Sequence, residues 1–439
     1  MSLLLHSFMS QSKCQMLSFV FLLALLFLPN ALNASSLPSD SSVVAFLQRD
    51  YGVKFTDNNR VVFFKNGQEK FDDLFSAVKQ AKSTVHLEYF NFRNDSISAL
   101  LFGLLSDCVK RGVKVRAIFD GFGNSSNNRP LLLRHLDTLR ARGIEIYEFD
   151  PVRFPWINHA FKRDHRKIVV IDGLVAYTGG MNVADYYIKG KTEFGDWRDI
   201  HCRVEGDVVG QLQAIFVKFW NRISRQDVSG PHLYPGFKDA RQYFEGLKPD
   251  TCVSAGRKSV GVVDRVPDET PAIMRETFVE SINAAQRQIL IINPYFTLNR
   301  KIRRALRKAL RRGVDVQVMI SEKSDIPITP RIVEHEAHRL MKKGATIHVY
   351  TGGFHHSKIM MVDSSFCFVG SANLNSRSLQ YDYECNLLVD DVPTTEALIS
   401  IFSDDSQGRC YKLTPELWRK RSWWRRFQCW FFQILTPFV

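Results

Sequence analysis

A chain of 439 residues has room for more than one domain, and 45% hydrophobic with 24% charged residues excludes a disordered polymer. The formal charge of +14 favours a polyanionic partner, either nucleic acid or an anionic membrane surface, and charge alone does not choose between them. Eight cysteines are scattered with no pair at metal-ligand spacing, so neither a zinc site nor a disulfide framework is indicated.

In chain order, the first element is the apolar run MLSFVFLLALLFL from Met16 to Leu28. It is short for a membrane span and suits a signal-peptide core, with small residues near Ala34 for cleavage. Residues 1–34 are therefore expected to be a signal peptide or, alternatively, an N-terminal membrane anchor. A self-similar body follows. AKSTVHLEYF (81–90) resembles AQRQILIINPYF (285–296), each a predicted strand ending in an aromatic pair, Tyr89-Phe90 and Tyr295-Phe296. Each is followed by a helical segment and then KRGVKVRAIFDG (110–121) or RRGVDVQVMISE (311–322), where Gly112 and Gly313 fit helix ends. LRARGIEIYEFD (139–150) and LMKKGATIHVYT (340–351) repeat the helix end, glycine and strand.

The repeat is tightest at HRKIVVIDGLVAYTGGMN (165–182) and HSKIMMVDSSFCFVGSAN (356–373). His165, Lys167, Asp172, Gly179 and Asn182 recur at identical offsets as His356, Lys358, Asp363, Gly370 and Asn373. A single His-x-Lys on a strand is ordinarily an exposed polar face, and a single Asp before Gly is ordinarily a turn. Two copies with every offset matched, inside a wider repeat, argue for joint use. WRDIHCRVEG (197–206) and YECNLLVDD (383–391) follow the two copies and place Asp199 and Glu384 at matching positions.

The fold class is therefore α/β: two repeated domains, each a mixed β-sheet flanked by helices, related by a pseudo-two-fold axis. The halves are expected at 44–230 and 255–410. Residues 231–254, opening on the Pro- and Gly-containing PHLYPGFKD, form a linker. The axis would bring His165 and His356 together, flanked by Lys167 and Lys358. Two histidines and two lysines without a carboxylate cluster for a metal suit phosphodiester chemistry. The lysines, with Asn182, Asn373 and Ser371, stabilise developing negative charge. One neutral imidazole attacks phosphorus, and the other, protonated, serves the leaving and entering oxygens. A pKa near ~6.5 lets modest environmental differences put the two in different states. Asp199 and Glu384 are the candidates to orient them. No cofactor and no metal are expected.

The doubled H-x-K-x4-D-x6-G-[GS]-x-N pattern resembles the phospholipase D superfamily. Together with HLEYF, NPYF, WRDIH and GSANLNSRS it is similar to the bacterial cardiolipin synthases. The resemblance spans roughly residues 60–400. It implies catalytic roles for His165, Lys167, Asp172, His356, Lys358 and Asp363. It also implies transfer of a phosphatidyl group from one phosphatidylglycerol to another through a phosphohistidine, with release of glycerol. Family precedent makes His165 the nucleophile and His356 the acid/base; the residues themselves do not order them. The alternatives are a phospholipase D that hydrolyses phospholipids to phosphatidic acid and a nuclease of the same superfamily.

Two segments bear on the partner. NRKIRRALRKALRRG (299–313) carries eight basic residues and no acid, with an apolar stripe that packs on the sheet. In the tail, residues 411–439, seven large aromatics from Trp418 to Phe432 interleave with arginine and lysine. That composition suits an interfacial helix on anionic lipid, the other reading being a helix docked on the protein. The expected partners are an anionic phospholipid membrane and phosphatidylglycerol as substrate, with no nucleic acid and no protein partner. The expected location is the bacterial cell membrane, peripheral or anchored, with the catalytic domains on the exported side.

Overall fold

The first half lays down β1 (Phe55–Phe64), β2 (Thr84–Tyr89), β3 (Lys114–Asp120), β4 (Glu145–Phe149), β5 (Ile168–Ile171), β6 (Val175–Gly179), β7 (Asp196–Arg198) and β8 (His201–Glu205). The second lays down β9 (Lys258–Arg265), β10 (Gln288–Ile292), β11 (Asp315–Ser321), β12 (Thr346–Tyr350), β13 (Gly353–His355), β14 (Ile359–Val362), β15 (Phe366–Gly370), β16 (Glu384–Asp390) and β17 (Cys410–Lys412). This computed structural model describes residues 41–152, 161–236 and 238–438. The apolar segment 16–28 and the cleavage site near Ala34 lie outside the described residues.

Outward from β1 the order is β8, β6, β5, β2, β3, β4, and outward from β9 it is β16, β15, β14, β10, β11, β12, β17. The antiparallel pair β1–β9 joins the two series into one 15-stranded sheet, with a register shift between Thr56 and Asn59. Each half is mixed. Strands β2–β3–β4 and β10–β11–β12 run parallel, and the strands nearer the junction pair antiparallel. Parallel neighbours need a crossover, supplied by the helices Ser96–Lys110 and Arg300–Arg311. Asp95 and Asn299 cap these helices by accepting from the backbone N–H of Ser98 and Ile302. Gly112 and Gly313, just past their ends, take φ of +89° and +86°, which a side chain would resist.

The unbroken apolar character of IVVI follows from burial on both faces. Val169 and Ile171 join the core of the first half, and Ile168 and Val170 join a core shared with Ile359, Met361 and Leu387 of the second. Cys108, Cys367 and Cys385 are buried core residues.

Some packing crosses the expected boundaries. The helix Ser41–Tyr51 opens the expected first half but packs Val43 and Leu47 against Ile273 and Phe278 of the second. In the segment between the halves, Ala240 and Phe244 join the core of the first. The tail helix Trp423–Phe431 docks on the helix Thr329–Met341, through Arg425 to Glu334 at 2.7 Å and through buried Cys429. Just before it, Trp418 stacks on His338 with ring centroids 3.9 Å apart. Docking leaves the opposite face of the helix open, with Trp423 70%, Trp430 61% and Phe431 50% exposed. The interfacial and docked readings are thus compatible. No helix among the described residues is long and apolar enough to cross a membrane.

Candidate active site

His165 and His356 each stand three residues ahead of a central strand, β5 and β14, and each is fixed by the opposite half. The His165 backbone N–H donates to the Tyr383 carbonyl at 3.1 Å, and that of His356 to the Arg198 carbonyl at 2.6 Å. The second contact continues a parallel ladder between β7 and β13 in which Trp197 faces Phe354. Tyr383 immediately precedes Glu384, and Arg198 immediately precedes Asp199. These backbone bonds therefore deliver each carboxylate to the histidine of the other half. His165 Nδ1 lies 3.0 Å from Glu384 Oε1, and His356 Nδ1 lies 2.8 Å from Asp199 Oδ2. The sequence identified both carboxylates; the exchange between halves is a tertiary result. Engaging Nδ1 leaves Nε2 of each ring for a reacting atom.

Lys167 and Lys358 share the face of their histidines, as the two-residue period of a strand requires. Lys167 Nζ donates to the His165 carbonyl at 2.5 Å, and Lys358 Nζ to the His356 carbonyl. Arg166 points the other way, into a buried cluster with Glu88 at 2.7 Å, Asp164 at 3.0 Å and Asp264 at 3.3 Å.

Asp172 and Asp363 do not join this group. Each ends its strand at a turn with positive φ. The Asp172 carboxylate accepts the backbone N–H groups of Lys82, Ser83 and Thr84 at 2.7–2.9 Å. That of Asp363 accepts those of Gln286, Arg287 and Gln288 at 2.7–2.8 Å. They register β5 on β2 and β14 on β10, a bracing role rather than contact with substrate. Aligned on these turns, Asn91 corresponds to Tyr295. The two aromatic pairs singled out by the sequence are thus offset by two positions in the fold.

The carboxylates are held differently in the two copies. Ser371 Oγ donates to Glu384 Oε2. At the equivalent Gly180, a Cβ would lie 2.3 Å from Asp199 Oδ1, so a serine has no room. The Ile200 backbone N–H, at 2.8 Å, serves Asp199 Oδ1 instead. Asn182 and Asn373 are buried, each with an Oδ1 that finds no partner among the described residues. Orphaned buried oxygens of this kind suit a bound hydroxyl or water.

Aromatic walls complete the site. Phe90 packs edge-on to His165 at 5.0 Å between centroids. Trp197 at 5.7 Å, Phe354 at 5.4 Å and Tyr295 at 5.9 Å surround His356. Trp197 and Phe354 escaped residue-by-residue reading because neither has a repeat partner of its own type.

Burial sets the protonation states. It pushes His356 down to about 4, with Lys358 adding to the effect and Asp199 opposing it. Burial also lowers His165, against the pull of Glu384. Lys167 is brought down to about 8 and Lys358 to about 7 by the same desolvation. For Glu384 and Asp199, burial is overcome by the facing cations: His165 for Glu384, and Lys358 with His356 for Asp199. Both therefore lie below the usual carboxylate range. Burial thus favours the neutral imidazole that attack on phosphorus requires, and the facing carboxylate favours the protonated one that the acid requires. An incoming phosphodiester anion favours the protonated forms and restores charge to the lysines.

A doubled mixed sheet with two His-Lys pairs meeting at its pseudo-two-fold defines the phospholipase D class of fold. The crystal structure of phosphatidylserine synthase from Haemophilus influenzae shares it, with a TM-score of 0.67 over 91% of this chain and 100% of that one at 13% identity. The family described as "Cardiolipin synthase, PLD-like domain" matches residues 74–220 and 278–406. Cardiolipin synthase of Listeria welshimeri is 31% identical over 408 residues, covering 92% of this chain and 80% of that protein. Cardiolipin synthase 1 of Bacillus anthracis is 32% identical over 400 residues, covering 90% and 75%. The chain belongs to this cardiolipin synthase family of phospholipase D-like proteins. It is a phosphatidyltransferase of that superfamily, placed in phospholipid synthesis.

Proposed function

We propose that the protein makes cardiolipin from two molecules of phosphatidylglycerol. What carries the reading is the crosswise arrangement of His165 on Glu384 and His356 on Asp199, which presents two free Nε2 atoms to one phosphorus between two lysines. The His165 Nε2 lone pair attacks phosphorus and forms the P–N bond. The P–O bond to the headgroup breaks, and His356 Nε2–H protonates the departing oxygen, releasing glycerol. A hydroxyl of the second phosphatidylglycerol then gives its proton to His356 and attacks the same phosphorus. The P–N bond breaks, and its electrons return to His165. Lys167 and Lys358 neutralise the non-bridging oxygens in both steps. The order of the histidines rests on family precedent.

The intermediate can be trapped. Phosphoramidates are labile in acid and stable in base. The His356→Ala variant, incubated with substrate radiolabelled in the phosphatidyl group, is expected to retain base-stable, acid-labile label on His165. Label that survives acid would identify a different nucleophile.

The substrate is a lipid, and two surfaces support docking on an anionic bilayer. One is the aromatic face of the tail helix. The other is the helix Arg300–Arg311, where Arg300, Arg304, Arg307, Lys308 and Arg311 make no ion pair among the described residues. A cleft lined by Arg300, Arg339, Gln433 and Thr436 joins the two. Deleting the tail outright would strip Glu334 of Arg421 and Arg425, so point changes are the cleaner test. Trp423→Ser, Trp424→Ser and Trp430→Ser together should weaken binding to anionic vesicles and leave turnover of a short-chain soluble substrate largely intact. Binding should also fall with salt, since each cation near such a surface contributes about 1 kcal/mol. Equal vesicle binding by the triple variant would remove the aromatic face from this account.

A further inference from the structure

A polar cleft linked to His356 through Trp197 holds a feature that the transfer chemistry does not use. Lys191 Nζ lies 4.7 Å from the ring centroid of Tyr186, 4.9 Å from that of Trp197 and 5.6 Å from that of Phe194. Three aromatic rings around one ammonium is the arrangement by which proteins recognise alkylammonium ligands. Here the guest is the chain's own side chain.

The cage is built rather than incidental. Tyr186 and Trp197 pack at 4.3 Å, and Trp197 is held in the β7–β13 ladder opposite Phe354. Lys191 and Gly195 exchange backbone hydrogen bonds of 2.9 and 2.7 Å, which close the loop and return Phe194 to the cage. Trp197 touches both groups, being also 5.7 Å from the His356 ring, so the cage stands one side chain from the acid/base. In an in-line displacement with His165 attacking, the headgroup leaves on the His356 side. It therefore leaves beside this cage.

We propose that Lys191 is a headgroup selector. Its ammonium occupies a ready-made cation subsite, so a headgroup that brings its own ammonium is turned away and an uncharged polyol is admitted. The inference rests on the phosphatidyl transfer proposed above. A glycerol headgroup needs no cage and accepts hydrogen bonds from the Lys191 ammonium. An ethanolamine or choline headgroup meets an occupied cage and a like charge. Arg93, Arg129 and Lys189 line the same cleft and add to that repulsion, while Asp185, Glu193 and Asp325 there offset it. Removing Lys191 empties the cage and leaves Arg93, Arg129 and Lys189 balanced by Asp185, Glu193 and Asp325 in the cleft. The like charge that filled the rings is then gone, and they are free to receive another ammonium.

The test uses the full chain and vesicles of mixed phosphatidylglycerol and phosphatidylethanolamine, with glycerol and ethanolamine release measured together. Lys191→Ala is expected to raise the ethanolamine-to-glycerol ratio by about tenfold, the scale of a desolvated cation–π contact. Lys191→Arg, which refills the cage with a cation, should keep the wild-type ratio. If glycerol and ethanolamine release fall together in Lys191→Ala with the ratio unchanged, Lys191 only holds its loop and the proposal fails. A second measurement is independent of turnover. Tetramethylammonium should give a saturable change in tryptophan fluorescence with Lys191→Ala and none with the wild type. That response without any glycerol release by the wild type would uphold the cage and overturn the transfer reaction. Absence of the response in Lys191→Ala would overturn the cage.

Discussion

His165→Ala and His356→Ala are each expected to reduce turnover by ~10³-fold or more, and the double variant to lose little beyond either single one. The reason is geometric. One imidazole forms the bond to phosphorus and the other moves the proton, so each is idle without its partner. The crossed hydrogen bonds sharpen the expectation. Glu384→Gln should be costly in the wild type and nearly silent in His165→Ala, because Glu384 acts on Nδ1 of His165. Asp199→Asn should be nearly silent only in His356→Ala. Steady-state kinetics on the four single variants, the double-histidine variant and the four histidine–carboxylate double variants decide this. Near-wild-type activity in either histidine variant would end the shared-site account. Coupling of Glu384 to His356 in place of His165 would reverse the assigned pairs.

Purified protein given phosphatidylglycerol alone in anionic bilayers should produce cardiolipin and an equal amount of glycerol, with little phosphatidic acid. Once phosphatidyl-histidine exists, water and the second lipid compete for one phosphorus. Bulk water stands at about 55 M, so a transferase must hold its alcohol at a far higher effective concentration; positioned groups reach ~10⁵ M and above. The site is suited to this: Phe90, Trp197, Phe354 and Tyr295 wall the histidines, and both lysines are buried. An acceptor that is itself a lipid arrives along the membrane rather than through water. Mass spectrometry of the lipid products reads the partition directly. Phosphatidic acid as the main product, with cardiolipin a trace, would make the protein a hydrolase.

Read alone, the sequence determined the repeat, the alternation of strands and helices, and, by the two-residue period of a strand, the shared face of His165 with Lys167 and of His356 with Lys358. It also determined the glycines that end helices. All of these follow from periodicity and backbone sterics within a few residues, which are local properties. Matched offsets in two copies added the one long-range inference, that the two motifs work together and that Asp199 and Glu384 serve them. Only the tertiary structure decided which carboxylate serves which histidine. His165 and Glu384 are 219 residues apart and His356 and Asp199 are 157 apart, and what joins them is strand pairing across the two halves. The same holds for the bracing role of Asp172 and Asp363, since a carboxylate ending a strand looks alike in sequence whether it meets substrate or three backbone N–H groups. Gly180 became intelligible only beside Asp199, and the helix Ser41–Tyr51 found its core only in the second half. The cage of Tyr186, Phe194 and Trp197 around Lys191 is likewise tertiary, because it is made by side chains converging in space and no period along the chain records it.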